Sequence, residues 1–142
     1  MDADRLETDL CSLLLRLNRR LSRQLNDELR AVMLTGEQVI MLGAIDTHPA
    51  PRVSDLKLAL GLDPSTVSAN LKPLMARNLV TAAADLVDRR ARRLHLTEEG
   101  RTRLRFAQKV VCELDAQMKK KLEENGVLND ATMAFHILSH AP

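Results

Sequence analysis

A glycine and a proline three residues apart constrain the fold of this chain more than any other feature. The stretch "DLKLALGLDPSTVSANLKPL" places Gly61, a typical helix-ending residue, just before Asp63 and Pro64, a good N-cap and a good first helical residue. One helix therefore ends and the next begins within two residues, and so short a turn between helices predicts a helix-turn-helix. Ser54 is expected to cap the first of these helices.

The second helix of the pair has two different faces. Val67, Leu71, Leu74 and Met75 recur at the spacing of a buried apolar face. The other face is short, polar and partly cationic, which suits entry into a DNA major groove. A surface helix with nothing to bind has the same pattern, so this segment alone leaves both interpretations open. The outer-face residues are Ser65, Thr66, Ser68, Ala69, Asn70 and Lys72.

An arginine-rich loop follows between two short arms that alternate like β-strands. Leu94 and Leu96 alternate with Arg93 and His95, so the arms are predicted to form a hairpin, and a hairpin directly after a recognition helix is a wing. Arginines at its tip are expected to lie over the DNA backbone and reach into the minor groove. Asp88 is expected to hold a neighbouring guanidinium in a bidentate pair. Without the preceding helices, a solvated loop is the alternative.

Charge is concentrated in the same region. Residues 52–109 carry twelve Lys and Arg against six Asp and Glu, whereas residues 1–51 and 110–142 each carry more acidic than basic residues. A basic middle between acidic ends is typical of a nucleic-acid surface attached to separate assembly regions. A charged segment that is only well solvated is the alternative.

Long apolar helix faces predict that two chains associate. Leucines recur every three or four residues from about Asp4 to Arg30, and Thr35 with Gln38 forms a capping box that opens the next helix. Together with the apolar faces after residue 100, this stripe exceeds what one small domain can bury, which predicts a homodimer. The expected regions are a dimerisation helix (1–34), a DNA-binding lobe (35–100) and C-terminal dimerisation helices (101–142).

These motifs resemble the multiple antibiotic resistance regulator (MarR) family of winged-helix transcription factors. The matching stretches are "LTGEQVIMLGAI", "LGLDPSTVSANLKPLMARNLV" and "DLVDRRARRLHLTEEGR", and the resemblance runs from about residue 8 to 122. The wing pattern of the family, Asp-x-x-Asp-Arg-Arg followed by Leu-Thr-x-x-Gly, is occupied here by Asp85, Asp88, Arg89, Arg90, Leu96, Thr97 and Gly100.

The resemblance implies a mainly α fold with a small β wing, in an intertwined homodimer. Its order is two helices, an optional short strand, two helices, a strand, the wing, a second strand and two last helices. The implied function is a double-stranded-DNA-binding regulator, a repressor released by a small-molecule effector from a pseudo-palindromic operator with half-sites about 10 bp apart. The predicted DNA-binding residues are Ser54, Ser65, Thr66, Ser68, Ala69, Asn70, Lys72, Arg77, Asp88, Arg89, Arg90 and Arg92.

The signal that controls such a regulator is left open between two routes. Cys11 lies where the related organic hydroperoxide resistance regulators (OhrR) carry a reactive cysteine, and Cys112 would be the resolving thiol of a disulfide. That branch activates its thiolate with tyrosines, which this chain lacks, so buried packing cysteines are the alternative. The second route is a small anionic or aromatic effector between helices one, two and five, with Arg16, Arg20 or His48 as its polar contact.

Other functional classes are disfavoured. The sequence contains no Gly-rich phosphate loop, nucleophile elbow or HExxH motif, so neither an enzyme nor a cofactor is expected. Its four histidines are scattered along the chain and do not form a cluster of several ligands, so no metal site is expected. The acidic start and the lack of an apolar run of about 20 residues predict a cytoplasmic protein with no membrane contact. A winged helix used only for protein contacts is the competing class, but it would not need an arginine tip.

Overall fold

The computed structural model describes residues 9–88 and 90–139, and it confirms a mainly helical fold with a small antiparallel hairpin. Contacts group the chain into two compact units, one up to residue 108 and one from residue 109 onward. In chain order the elements are α1 (Leu10–Glu28), a 3-10 turn (Leu29–Val32), α2 (Gly36–Thr47), α3 (Val53–Leu60), α4 (Pro64–Ala76), β1 (Val80–Ala84), β2 (Arg92–Leu96), α5 (Glu98–Glu124) and α6 (Leu128–Ser139).

Helix α1 begins where a side chain caps it. The Asp9 carboxylate accepts the backbone N–H of Ser12 at 3.1 Å, and residues 4–8, which were expected in this helix, lie outside the described residues. No residue of α1 is fully buried, and Leu13 and Leu17 of the predicted stripe are exposed. Leu29, directly after the helix, is fully buried in the lobe.

The predicted capping box of α2 is confirmed. The Gln38 N–H donates to the Thr35 hydroxyl at 3.3 Å, and the Gln38 side-chain oxygen accepts the Thr35 N–H at 3.2 Å. The lobe core forms where α2, α3, α4 and the hairpin meet. Its largest fully buried side chains are Leu29, Met41, Leu42, Leu56, Leu74, Leu79, Leu94, Val67 and Val80.

The helix-turn-helix also has the predicted turn. Gly61 ends α3 with a φ of +61°, a left-handed conformation that glycine adopts at little cost. The expected Ser54 cap is wrong, because α3 begins one residue before Ser54. The N-cap residue is Arg52, whose N–H donates to the Asp55 carboxylate at 2.7 Å.

The hairpin pairs β1 with β2 in the register Val80↔Leu96. Because side chains alternate across a strand, Leu94 and Leu96 are both buried against the lobe. The optional first strand is reduced to a single bridge between Arg52 and Arg93. The Leu94 N–H also donates to the Pro51 carbonyl at 2.9 Å, so the hairpin is attached to the segment before α3.

Helix α5 begins at the end of the hairpin, and the Leu-Thr-x-x-Gly motif explains how. The Thr97 hydroxyl accepts the Gly100 N–H at 2.9 Å, which caps the helix. A side chain at Gly100 would place its Cβ 2.1 Å from the Leu79 carbonyl oxygen, so this position requires glycine. The motif therefore fixes the approach of α5 to the residue that precedes β1.

Candidate nucleic-acid interface

The outward face of α4 is an exposed polar stripe. Val67, Leu71 and Leu74 are buried on the inward face, as predicted, whereas Met75 is 42% exposed and does not belong to that face. Four of the predicted contact residues are exposed along the outward side at helical spacing. They are Ser65, Ser68, Ala69 and Lys72.

Asp63 fixes the first turn of this stripe. Its carboxylate accepts the backbone N–H groups of Ser65 and Thr66, both at 3.0 Å. Both hydroxyls also donate to it, the Thr66 hydroxyl at 2.8 Å. Hydrogen bonds from the Ser65 and Thr66 side chains, more than those from the backbone, hold the pKa of Asp63 well below its usual range. Because these hydroxyls donate to Asp63, their oxygens remain available only as acceptors, which are the groups that pair with the amino groups of adenine or cytosine.

Two further predicted contacts lie away from the stripe. Asn70 is half-buried, and its amide nitrogen donates to the Thr66 carbonyl at 3.0 Å. Arg77 follows the end of α4, and its guanidinium donates to the Met33 carbonyl at 2.5 Å. Its Nη2 is buried without a hydrogen-bond partner among the described residues. Arg77 lies just beyond the last helical residue and its guanidinium is held by the lobe, so this placement does not favour the predicted DNA contact.

The base of the wing is organised by one buried carboxylate. The side chain of Asp85 is 1% exposed, and its Oδ2 accepts the guanidinium groups of Arg93 at 2.5 Å and Arg52 at 3.0 Å. Its Oδ1 accepts the backbone N–H groups of Val87 at 2.8 Å and Asp88 at 3.0 Å. The N–H groups of Asp88 and Val87, followed by the Arg93 and Arg52 guanidiniums, hold the pKa of Asp85 well below its usual range. Asp85 therefore joins the wing loop to the start of α3.

Asp88 repeats the same turn closer to the tip. Its carboxylate accepts the backbone N–H of Arg90 at 3.0 Å, and its carbonyl accepts the Ala91 N–H at 2.9 Å. Asp88 was expected to pair with a neighbouring guanidinium, but at Arg90 it accepts the backbone N–H instead. Arg90 and Arg92 are exposed. Arg89, the other predicted tip residue, lies outside the described residues.

Sequence reasoning missed the network around Asp85. Arg52 and Arg93 were given no role. They lie 33 and 8 residues from Asp85 along the chain, so their contacts with it are not visible in the local sequence. The available signal was Asp85 itself, which belongs to the wing motif but was assigned no contact. Ser54 is exposed in the first turn of α3, and its hydroxyl donates to Asp55 at 3.5 Å.

The candidate sensing residues fall in different places. Arg16 and Arg20 border an open concavity of about 770 Å³ whose lining comes entirely from α1, whereas His48 ends α2, with its Nδ1 2.8 Å from the Ala44 carbonyl oxygen. The structure therefore does not bring the three predicted effector contacts together. Cys11 on α1 and Cys112 on α5 are free and exposed in the single chain. Burial of either cysteine as a packing residue therefore requires a second copy and stays a prediction.

The part of the chain that the structure describes contains neither a candidate metal cluster nor a membrane-spanning helix. Within it, no group of three or more His, Cys, Asp or Glu side chains is placed to hold a metal ion. Within the same residues, no helix is long and apolar enough to cross a bilayer.

Comparison with known proteins identifies the same lobe. The sequence model of the MarR family matches residues 34–91. The transcriptional repressor CouR bound to a 23-mer DNA duplex is 24% identical, with a TM-score of 0.85 over 97% of this chain and 98% of that chain. A mutant of MarR from E. coli complexed with operator DNA is 22% identical, with a TM-score of 0.83 over 100% of both chains.

A third solved structure has a small molecule in its description. BpsR from Bordetella bronchiseptica, described with regulation of DNA binding by 6-hydroxynicotinic acid, is 24% identical, with a TM-score of 0.84 over 95% of this chain and 96% of that chain. These likenesses establish the fold. No curated protein sequence matches the chain significantly.

Proposed function

We propose that this chain, whose residues 34–91 match the MarR family model and whose fold resembles DNA-bound MarR-type regulators, is a winged-helix transcriptional regulator that binds double-stranded DNA and represses transcription as a homodimer. The observation that carries the proposal is the exposed stripe from Ser65 to Lys72, on a helix whose opposite face is buried, beside a wing braced by Asp85. Polar and cationic groups there contact bases and phosphates, and Arg90 and Arg92 extend the cationic surface onto the wing.

The dimer is supported by apolar surface that one chain leaves uncovered. Leu10, Leu13 and Leu17 of α1 are 58%, 44% and 38% exposed. On α6, Met133 and Ile137 are 64% and 61% exposed. Burying such side chains against a second copy removes apolar surface from water. A two-fold dimer would present two α4 helices to half-sites on the order of 10 bp apart.

The salt dependence of binding tests this proposal. A labelled duplex enriched from a random-sequence pool is titrated with protein at several salt concentrations, and affinity is followed by fluorescence anisotropy. Each neutralised phosphate contributes about 0.9 to the slope of log affinity against log salt. Arg90→Ala removes one such contact per protomer, so the slope should fall by roughly 2 per dimer.

Arg19→Ala is the matched control, because Arg19 is an exposed arginine on α1, outside the proposed interface. It removes the same charge and should leave the slope unchanged. If Arg19→Ala lowered the slope and Arg90→Ala did not, the DNA surface would lie elsewhere on the chain.

The proposed regulator is released by a small anion. This part is supported by the lining of the α1 concavity, which has four arginines against Asp27 and Glu28 and is therefore positive, and by the description of BpsR. A panel of aromatic carboxylates is added to the protein–DNA complex, and loss of anisotropy identifies an effector. The double variant Arg16→Ala, Arg20→Ala should still bind DNA but need more carboxylate for release. Equal release of both proteins would place the effector site elsewhere.

A thiol-based sensor is the second candidate, and it is favoured by the exposure of both free cysteines. Oxidation of Cys11 to a sulfenic acid by an organic hydroperoxide, followed by attack of the Cys112 thiolate, would form a disulfide and release water. DNA binding is measured with reduced protein, after peroxide and after added thiol. Reversible loss that disappears in Cys11→Ser supports this route, and identical binding in all states excludes it.

A further inference from the structure

The wing loop carries two aliphatic side chains at full exposure directly after Asp85. Leu86 and Val87 are 102% and 91% exposed, whereas Leu94 and Leu96 of the same hairpin are buried. A leucine and a valine that remain in water contribute no apolar burial to folding of the lobe. Their position in the loop therefore calls for a reason outside the core.

The loop backbone holds this pair outward. The Val87 N–H is bonded to the Asp85 carboxylate, and the Asp85 N–H donates to the Ala91 carbonyl at 3.1 Å. Because Arg52 and Arg93 fix that carboxylate from the lobe side, the loop has a braced turn at its base. Leu86 and Val87 are thus presented outward before any partner binds, which limits the ordering entropy lost on docking.

The surroundings of the pair indicate what it contacts. Leu86 and Val87 border a concavity of about 500 Å³, which Ala83 and Ala84 also line. Arg90 is exposed in the same loop, and Arg92 is exposed at the start of β2. An apolar pair flanked by cations fits a DNA minor groove, where phosphates lie at the rims and apolar sugar edges form the walls. Other proteins insert apolar wedges into this groove.

We infer that Leu86 and Val87 form an apolar wedge that packs against the deoxyribose walls of the minor groove when the wing docks. The wing then binds DNA through a contact that is independent of salt, in addition to its arginines. This inference rests on the proposed DNA-binding function and deepens it. The cationic flanks favour DNA over an uncharged protein surface as the occupant.

The test compares a polar double variant with an apolar one. Leu86→Ser with Val87→Ser should weaken binding to the enriched duplex about tenfold, because four aliphatic side chains per dimer lose their contact. The salt slope should stay unchanged, because no charge is removed. The control, Leu86→Met with Val87→Ile, keeps the apolar surface and should bind within about twofold of the unaltered protein. Hydroxyl radicals cleave DNA at exposed deoxyribose, and bound protein protects the sugars that it covers. The serine variant, but not the control, should leave the sugars at the wing positions unprotected.

The outcomes separate this inference from the function on which it rests. If the unaltered protein does not bind duplex DNA, the proposed function itself fails. If it binds and the serine variant matches it in affinity and protection, the wedge is overturned while DNA binding stands. Unchanged DNA affinity with an altered sedimentation profile would overturn the wedge and assign Leu86 and Val87 to contacts between copies of the chain. A lower salt slope in the serine variant would also overturn the wedge, because the contact would then be electrostatic.

Discussion

Replacing Gly100 with alanine should destabilise the lobe strongly, although the change adds one methyl group. The new Cβ would lie 2.1 Å from the Leu79 carbonyl oxygen, whereas ordinary contacts begin at 3.4 Å, so this backbone must withdraw by about 1.3 Å. Leu79 is 1% exposed, and its carbonyl accepts the Thr97 N–H at 3.1 Å. Overpacking typically costs 1 to 3 kcal/mol, and the strained hydrogen bond adds about 1 kcal/mol. We therefore expect about 3 kcal/mol and a Tm lower by roughly 10 °C.

Gly43→Ala is the matched control for this prediction. Gly43 lies inside α2, and a Cβ there would have no neighbouring atom within 4 Å among the described residues. Alanine should therefore stabilise the helix by about 0.5 to 1 kcal/mol. Both variants are melted by circular dichroism at one chain concentration, since the Tm of a dimer depends on concentration. A Gly100→Ala protein that melts within about 2 °C of the unaltered one would refute the close approach of α5 to Leu79.

Three further predictions concern assembly, the recognition helix and pH. Leu13→Glu should convert the dimer to monomer in analytical ultracentrifugation, whereas Leu15→Glu, on the opposite side of α1 and 59% exposed, should not. Arg77→Ala should lower the Tm without changing the salt slope of DNA binding, because the Arg77 guanidinium bonds to backbone within the lobe. Arg90→Ala should instead lower the slope, and a reduced slope in Arg77→Ala would contradict this placement of Arg77. The lowered pKa of Asp85 means that its stabilisation is present above pH of about 4 and is lost as pH falls further. Asp85→Asn should therefore be less stable at neutral pH and have a flatter stability profile below pH of about 4 in acid-unfolding experiments; parallel profiles would argue against an ionised, braced carboxylate.

Local signals predicted most of the elements. The Thr35 and Gln38 box, the Gly61 stop and the Asp63 cap all appear where the sequence places them, because each depends on residues within one turn of a helix. Met75 was predicted to be buried and Ser54 was predicted to be the cap. Both expectations were wrong, because periodicity defines a face only to within about one residue and Asp55 satisfies the helix start instead.

The contacts of the arginines were harder to predict, because charge alone does not tell where a guanidinium points. Arg52, Arg77 and Arg93 all bond within the lobe, two to Asp85 and one to the Met33 carbonyl. Arg90 and Arg92 remain exposed. All five arginines belong to the same basic region of the sequence, so the sequence does not separate those that bond within the lobe from those that stay exposed.

The order of helices, the hairpin and the turn between α3 and α4 follow from the sequence alone, since capping, helical periodicity and strand alternation act between near neighbours. Tertiary structure decided which charges are available to a partner. Asp85 gathers Arg52 and Arg93 from separate elements, because a carboxylate with 1% of its side chain exposed must be paired. The same bracing leaves Leu86 and Val87 exposed on the wing. Such pairing depends on distances across the fold, which spacing along the chain does not encode.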